Sequence, residues 1–272
     1  MTLITAPPLI SWSWQIWFPR MFSTLKKIAA FASGANNVNR PLSIRLTLLA
    51  PEQLKEVFLL AHIEGFTKGA VVNELRHNER LIKNPSNKDI DPTRSHLDYS
   101  VLEQRDISSY DYFLQRKSQL YCYNRPDVNV LAGWIVTAPV DLAPEQESLF
   151  FEKTSEFLQE RYGPENAIQS IVHYDEKEIG RPHLHHLFIP VVPDLKHGGE
   201  KICYNDLITR QELRCFHPAL QKYLDGAGID CNVMNGITRE IGGNISVEDL
   251  KKAEALIEIK RRERERTKGF TW

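Results

Sequence analysis

The chain has 272 residues, of which 42% are hydrophobic and 10% aromatic, so it can bury the core of one main globular domain. A mean hydropathy of −0.36 without an apolar run of bilayer length excludes a membrane-spanning protein, and four cysteines without C-x-x-C spacing exclude a disulfide-dense scaffold. The formal net charge of −1 offers no general attraction to nucleic acid.

The charge is spread unevenly along the chain. Residues 1–53 carry five basic side chains against one acid, residues 260–272 carry six against two, and this leaves −9 on residues 54–259. Any contact with nucleic acid must therefore depend on local patches or on the basic ends. No basic segment precedes the first apolar stretch, which argues against a secretory signal, and we expect a cytoplasmic protein without stable membrane insertion.

Hydrophobic periodicity and end signals divide the chain into three parts. We predict an N-terminal extension at 1–53, a main domain at 54–242 and a charged C-terminal helix within 243–272. The predicted elements, in chain order, are a candidate strand at 42–48, a strand at 57–64, a helix at 70–83 ended by Pro85, a strand at 96–102, a helix at 108–121, a strand at 128–137, a helix at 144–162, strands at 167–174 and 183–192, a helix from Thr209 to Gly226, and a helix at 246–268.

The helix predicted at 70–83 carries a polar stripe. Asn73, His77, Arg80 and Asn84 are spaced i, i+4, i+7 and i+11, which places them on one helix face. This spacing predicts that His77 and Arg80 lie side by side.

Four of the nine histidines fall within the fourteen residues 173–186. On a strand, residues two apart point to the same face roughly 6.6 Å apart, so His183 and His185 can bind one ion while His186 faces away. A hairpin would bring His173 opposite His183 as the third ligand, with open positions left for substrate and water. The segment therefore predicts a three-histidine divalent-metal site rather than unliganded histidines.

Known metal-hydrolase patterns narrow the chemistry of this site. The chain has no H-E-x-x-H motif, and Leu187 stands where an H-x-H-x-H pattern needs its third histidine. The pattern that is left is a histidine, a hydrophobic residue and a second histidine on one strand. This pattern is typical of HUH endonucleases, which nick single-stranded DNA.

Four motifs in order resemble those of the plasmid mobilisation relaxases of the Mob/Pre (MobV) type, over about residues 57–240. They are H-N-E-R at 77–80, S-N-K-D-I-D-P-T-R-S-H-L-D-Y at 86–99, W-I-V-T at 134–137, and H-Y-D-E followed by P-H-L-H at 173–185. The resemblance implies an α+β fold with a central antiparallel sheet flanked by helices. It also implies a DNA-nicking strand transferase acting at a transfer origin.

The resemblance implies a role for each motif residue. His77 would be the nucleophile that forms a covalent bond to the 5′ end, Glu176 would orient or deprotonate it, and Arg80 would grip a phosphate. Mn²⁺ or Mg²⁺ would be the metal held by the three histidines, and the expected partners are single-stranded or supercoiled origin DNA and the conjugation coupling machinery. The residues expected to contact the DNA are Asn87, Arg94 and Tyr99.

Two alternatives and two departures from the family pattern accompany this hypothesis. Tyr99 is the rival nucleophile, as in an HUH replication initiator or transposase, and a non-catalytic origin-binding protein is the second alternative. Residues 177–181 lengthen the loop of the metal motif from two residues to five. Asp98 stands where an asparagine is common, which predicts an added negative charge near the bound phosphate.

Overall fold

The computed structural model describes residues 60–234, except residues 86, 88, 177–180 and 197. The predicted extension at 1–53 with its candidate strand, the helix at 246–268, both basic ends and most of the lengthened loop lie outside the described residues. Among the helices described, none has the length and apolar character needed to span a bilayer.

The centre of the fold is a five-stranded antiparallel sheet with the strand order β1-β3-β5-β4-β2. Helices cover both of its faces, so the predicted α+β class is confirmed. The strands are β1 (Ala61–Thr67), β2 (Tyr99–Ser100), β3 (Asn129–Thr137), β4 (Ala167–His173) and β5 (His183–Phe188), and a separate two-stranded sheet contains β6 (Val191–Pro193) and β7 (Glu200–Ile202). The helices are α1 (Val71–Asn78), α2 (Ser109–Ser118), α3 (Glu147–Tyr162), α4 (Tyr204–Leu207) and α5 (Arg210–Gly226).

One face of the sheet, here called the core face, packs against α3 and α5. Trp134 of β3 lies at its centre, where its ring stacks on Phe216 of α5 with centroids 3.6 Å apart. The Trp134 indole N–H also donates to the Tyr162 hydroxyl over 3.0 Å, so its polar atom is satisfied inside the core.

The opposite face, here called the histidine face, is covered in part by α1 and α2. Leu131 of β3 and Leu187 of β5 form a second buried cluster with Leu75 of α1 and Phe113 of α2. The same register places His183 and His185 on this face, because side chains alternate along a strand. This alternation separates the histidines from the main core.

Several predicted elements are confirmed by the structure. The strands at 128–137 and 167–174 are β3 and β4, and the helix from Pro144 is a 3₁₀ turn followed by α3, which ends at Gly163 with φ of 92°. The Ser108 hydroxyl accepts from the Asp111 amide and begins α2. The Thr209 hydroxyl accepts from the Glu212 amide over 3.2 Å and begins α5.

Three predicted boundaries are wrong. α1 ends at Asn78 rather than at Pro85. The strand predicted at 96–102 is reduced to two residues, because 95–97 form a 3₁₀ turn. The run 183–192 splits after Phe188, since the Ile189 amide donates to Asn166 and the next residues join β7 instead.

Candidate metal centre and active site

Strand pairing brings three imidazoles together on the histidine face. His173 of β4 pairs directly with His183 of β5, and His185 follows two residues later. The ring centroids are 4.6 Å apart for His173 and His185, 5.0 Å for His183 and His185, and 5.7 Å for His173 and His183. This is the register predicted from the spacing of the motif.

The hydrogen bonds of these rings decide which nitrogen is left to bind a ligand. His173 Nε2 donates to the Asn78 carbonyl over 3.0 Å, and His183 Nδ1 donates to the Arg181 carbonyl over 3.3 Å. Each such bond fixes the tautomer and leaves a lone pair on the other nitrogen. Buried nitrogens without a hydrogen-bond partner among the described residues include His173 Nδ1, His183 Nε2 and His185 Nε2.

A carboxylate completes this group of donors. Each of the three histidines and Glu176 offers one ligand atom, and these atoms lie within 4.8 Å of one another. Buried lone pairs without a partner are costly unless a ligand occupies them. Imidazole nitrogens with a carboxylate oxygen are suitable donors for Mn²⁺ and similar divalent ions, so the residues present fit a metal.

The protonation state of the cluster also favours a cation. Burial is the largest cause that lowers the pKa of each histidine, and it lowers the pKa of His173 to about 3. The imidazoles are therefore neutral near pH 7, which is the form that binds metals.

His77 lies in the last turn of α1, one residue before the carbonyl that contacts the imidazole cluster. The carbonyl of the next residue, Asn78, accepts the hydrogen bond from His173, which joins the end of α1 to the cluster. Burial, and then the positive charge of Arg80, lower the pKa of His77 below its usual 6.5. His77 is half-buried and neutral at pH 7, so one ring nitrogen carries a free lone pair.

The structure places Glu176 against the cluster. Its Oε2 lies 3.7 Å from His183 Nε2, and its Oε1 accepts from Arg80 Nη2 over 3.1 Å. Among the hydrogen bonds of the described residues, none joins Glu176 to His77. The predicted action of Glu176 on His77 remains a prediction.

Arg80 is not part of the predicted polar stripe, and that prediction is wrong. Its backbone has a positive φ of 56°, after the end of α1. Its guanidinium donates to Asp175 over 2.9 Å and lies 3.4 Å from Asp98. Arg80 is therefore paired with carboxylates in the structure, and its grip on a phosphate remains a prediction.

Asp98 does not present its charge to the site as the sequence predicted. Its side chain is 8% exposed, and one oxygen accepts from the Tyr174 amide over 2.8 Å while the other faces Arg80. Burial raises the pKa of Asp98 to about 6. The carboxylate is thus enclosed and opposed by a guanidinium, which offsets the repulsion that its charge alone would cause.

The three residues predicted to contact DNA lie in different surroundings from one another. Tyr99 pairs with Val172, whose side chain lies in the main core, so both point away from the histidine face. Arg94 is exposed, and Asn87 is half-buried with its Oδ1 accepting from the Asp89 amide over 3.0 Å.

The contact made by Ser95 could not be predicted from the sequence. Its hydroxyl donates to the buried carboxylate of Asp175 over 2.5 Å, although the two residues are 80 positions apart. Asp175 is fully buried and joins the segment after β4 to the loop before β2.

Comparison with known proteins gives consistent matches. The family model described as "Plasmid recombination enzyme" matches residues 55–239. The chain is 30% identical over 212 residues to a plasmid recombination enzyme of Streptococcus agalactiae. The matched residues cover 75% of this chain and 40% of the relative. It is 32% identical over 162 residues to one of Bacillus thuringiensis, covering 57% of this chain and 34% of that protein. The chain therefore spans less than half the length of these two curated relatives.

Among solved structures, the fold is similar to the MobM relaxase domain bound to plasmid pMV158 oriT DNA in a Mn-bound crystal structure. The TM-score is 0.57 with 28% sequence identity, over 71% of this chain and 97% of that domain.

Proposed function

Because the chain belongs to the Mob_Pre family of plasmid recombination enzymes, we propose that it is a DNA relaxase that nicks one strand at a transfer origin in a metal-dependent reaction. The similarity to an oriT-bound relaxase domain supports this substrate class. The observation that carries the proposal is the convergence of three buried, unpartnered imidazole nitrogens next to the end of α1, where His77 lies.

His173, His183 and His185 would hold the metal. A divalent ion there would polarise the scissile phosphate and stabilise the charge that develops on its oxygens. Mn²⁺ is the first candidate, since the similar relaxase domain is Mn-bound, and Mg²⁺ is the second.

His77 would be the nucleophile. Its lowered pKa leaves the imidazole neutral at pH 7, so a lone pair can attack phosphorus. The N–P bond forms as the P–O3′ bond breaks, the 3′ oxygen takes up a proton, and the ring loses the single N–H proton of its second nitrogen to solvent or a nearby carboxylate. The phosphoramidate product retains enough group-transfer potential for a later resealing of the strand.

The tyrosine alternative requires a phenol on the histidine face. Tyr99 lies on the core face instead, packed near Tyr174 with ring centroids 6.3 Å apart. The strand register therefore favours His77 over Tyr99. Exposed Arg94 is a suitable side chain for the DNA backbone, while contact with conjugation machinery remains a prediction.

The test is nicking by the full chain with Mn²⁺. Labelled single-stranded oligonucleotides that tile the DNA flanking its own gene serve as substrates. We expect one specific cut and an acid-labile protein–DNA adduct, mapped to His77 by mass spectrometry. Specific binding without cleavage would support the non-catalytic alternative, and an acid-stable adduct on a tyrosine would support the replication-initiator alternative.

A further inference from the structure

The end of α1 has an unusual residue in a common motif. The Leu81 amide donates to the Arg76 carbonyl over 2.9 Å, and the Arg80 amide donates to the His77 carbonyl over 3.0 Å. These two bonds form a Schellman motif, whose left-handed position is generally occupied by glycine. Here Arg80 occupies it with φ of 56°, so a side chain is kept where glycine would be easier to accommodate.

The side chain of Arg80 is engaged at all three of its nitrogens. Nε donates to Asp175 over 2.9 Å, Nη1 donates to the His77 carbonyl over 3.3 Å, and Nη2 donates to Asp175 and, over 3.1 Å, to Glu176. These contacts use Nε–H, both hydrogens of Nη2 and one hydrogen of Nη1, so a bidentate grip on a phosphate would require the loss of one of these partners. The observed contacts therefore connect the helix of His77 to Glu176.

The partners of Arg80 are themselves fixed. Asp175 is fully buried and also accepts from the Ser95 hydroxyl, while Asp98 accepts from the Tyr174 amide. One guanidinium thus lies among three carboxylates whose side chains are at most 8% exposed. Buried charges of one sign need such a partner, and a planar fork can hold two carboxylates at once.

We propose that Arg80 is a positioning residue that holds Glu176 beside the three imidazoles and fixes the His77 end of α1 to the metal centre. Arg80 acts through Glu176 and the α1 terminus, not through the DNA. The inference rests on the proposed metal centre, but it assigns Arg80 a role different from phosphate binding.

The test compares two arginine-to-lysine variants of the full chain. Arg80→Lys keeps the charge but loses the planar fork that reaches Asp175 and Glu176 together. Arg76→Lys is the matched control, since Arg76 is an exposed arginine in the last turn of α1, four residues before Arg80. With Mn²⁺ alone and no DNA, we expect Arg80→Lys to weaken Mn²⁺ binding about 10-fold, as loss of outer support does at metal sites, and Arg76→Lys to change it less than about 2-fold.

A double-variant cycle shows whether Arg80 acts through Glu176. In a Glu176→Gln background, we expect Arg80→Lys to add little further weakening of Mn²⁺ binding. Unchanged Mn²⁺ affinity in Arg80→Lys, with weaker binding of the single-stranded oligonucleotide, would overturn the proposal in favour of phosphate binding. A lowered melting temperature with unchanged Mn²⁺ affinity would also overturn it, because the role would then be structural only.

A milder variant covers the case in which Arg80→Lys does not fold. Ser95→Ala removes the hydroxyl that anchors Asp175, and we expect a weakening of Mn²⁺ binding of about 2- to 5-fold. An unchanged Mn²⁺ affinity in Ser95→Ala would contradict the proposed anchoring of Asp175. A wild-type chain that binds Mn²⁺ but does not cut DNA would refute the proposed nicking alone, whereas one that binds no Mn²⁺ would refute both proposals.

Discussion

His185 and His186 are neighbours on β5, yet they lie on opposite faces of the sheet in different surroundings. His186 is fully buried beside the main core, where its Nδ1 contacts the Ser170 hydroxyl at 3.2 Å. His185 points to the other face and meets two further imidazoles. Both have a buried Nε2 without a partner among the described residues. An unpartnered nitrogen alone therefore does not predict a metal site, whereas the convergence of several donor atoms does.

The largest expected effect separates the two faces by their chemistry. We expect His77→Ala to abolish the covalent DNA adduct, because the nucleophile is lost, while Mn²⁺ affinity stays within about 2-fold of wild type. Tyr99→Phe, on the core face, is the matched control and should retain the adduct. Denaturing gel electrophoresis of the labelled DNA measures the adduct in both variants. An adduct that persists in His77→Ala would contradict the assignment of the nucleophile.

The second effect compares the two neighbouring histidines directly. We expect His185→Ala to weaken Mn²⁺ binding by about 100-fold or more, since a ligand is lost, and His186→Ala to leave it within about 3-fold. Calorimetric titration with Mn²⁺ checks both variants. Equal loss in the two variants would show that the faces are not functionally separate.

The third effect concerns acid stability on the core face. Burial lowers the pKa of His186 to about 3 from 6.5, so between these pH values the unfolded chain takes up a proton that the folded chain excludes. Stability is therefore lost as pH falls below about 6.5, by about 2 kcal/mol from this residue at pH 5. Urea unfolding at pH 7 and pH 5 should show a smaller difference for His186→Gln than for wild type. An identical difference would mean that His186 is not the group that titrates.

The smallest expected effect concerns the cap of α5, a helix that packs on the core face of the sheet. The Thr209 hydroxyl caps α5, and its removal in Thr209→Ala should lower the free energy of unfolding by about 1 kcal/mol. Mn²⁺ affinity and nicking should remain at wild-type values, because the cap contacts neither the three imidazoles nor His77. A change in Mn²⁺ affinity would show that α5 supports the metal centre as well as the core.

Features that depend on local spacing were predictable from the sequence. The two-residue repeat of strands predicted that His183 and His185 share a face and that His186 does not. A hairpin placed His173 opposite His183, and the structure has this pairing. The start of α5 was equally local, since the Thr209 hydroxyl binds an amide three residues later.

Features that depend on packing between distant segments were not predictable. The periodicity of α1 continued past its true end, because a positive φ at Arg80 is favoured by contacts that the local pattern does not contain. Asp98 was expected to repel a phosphate, but the fold encloses it opposite Arg80. Tyr99 shares a motif with Arg94, yet the pairing of β2 with β4 turns its ring toward the core.

The sequence by itself determined which imidazoles share one face of the sheet and which family motifs the chain carries, because both follow from residue type at fixed spacing. Only the tertiary structure placed His77 beside them, through the hydrogen bond between His173 and the Asn78 carbonyl across 95 residues. It alone directed Arg80 to Asp175, also 95 residues away. The physical reason is that spacing along one element fixes the direction of a side chain, whereas the neighbour that it meets depends on how separate elements pack.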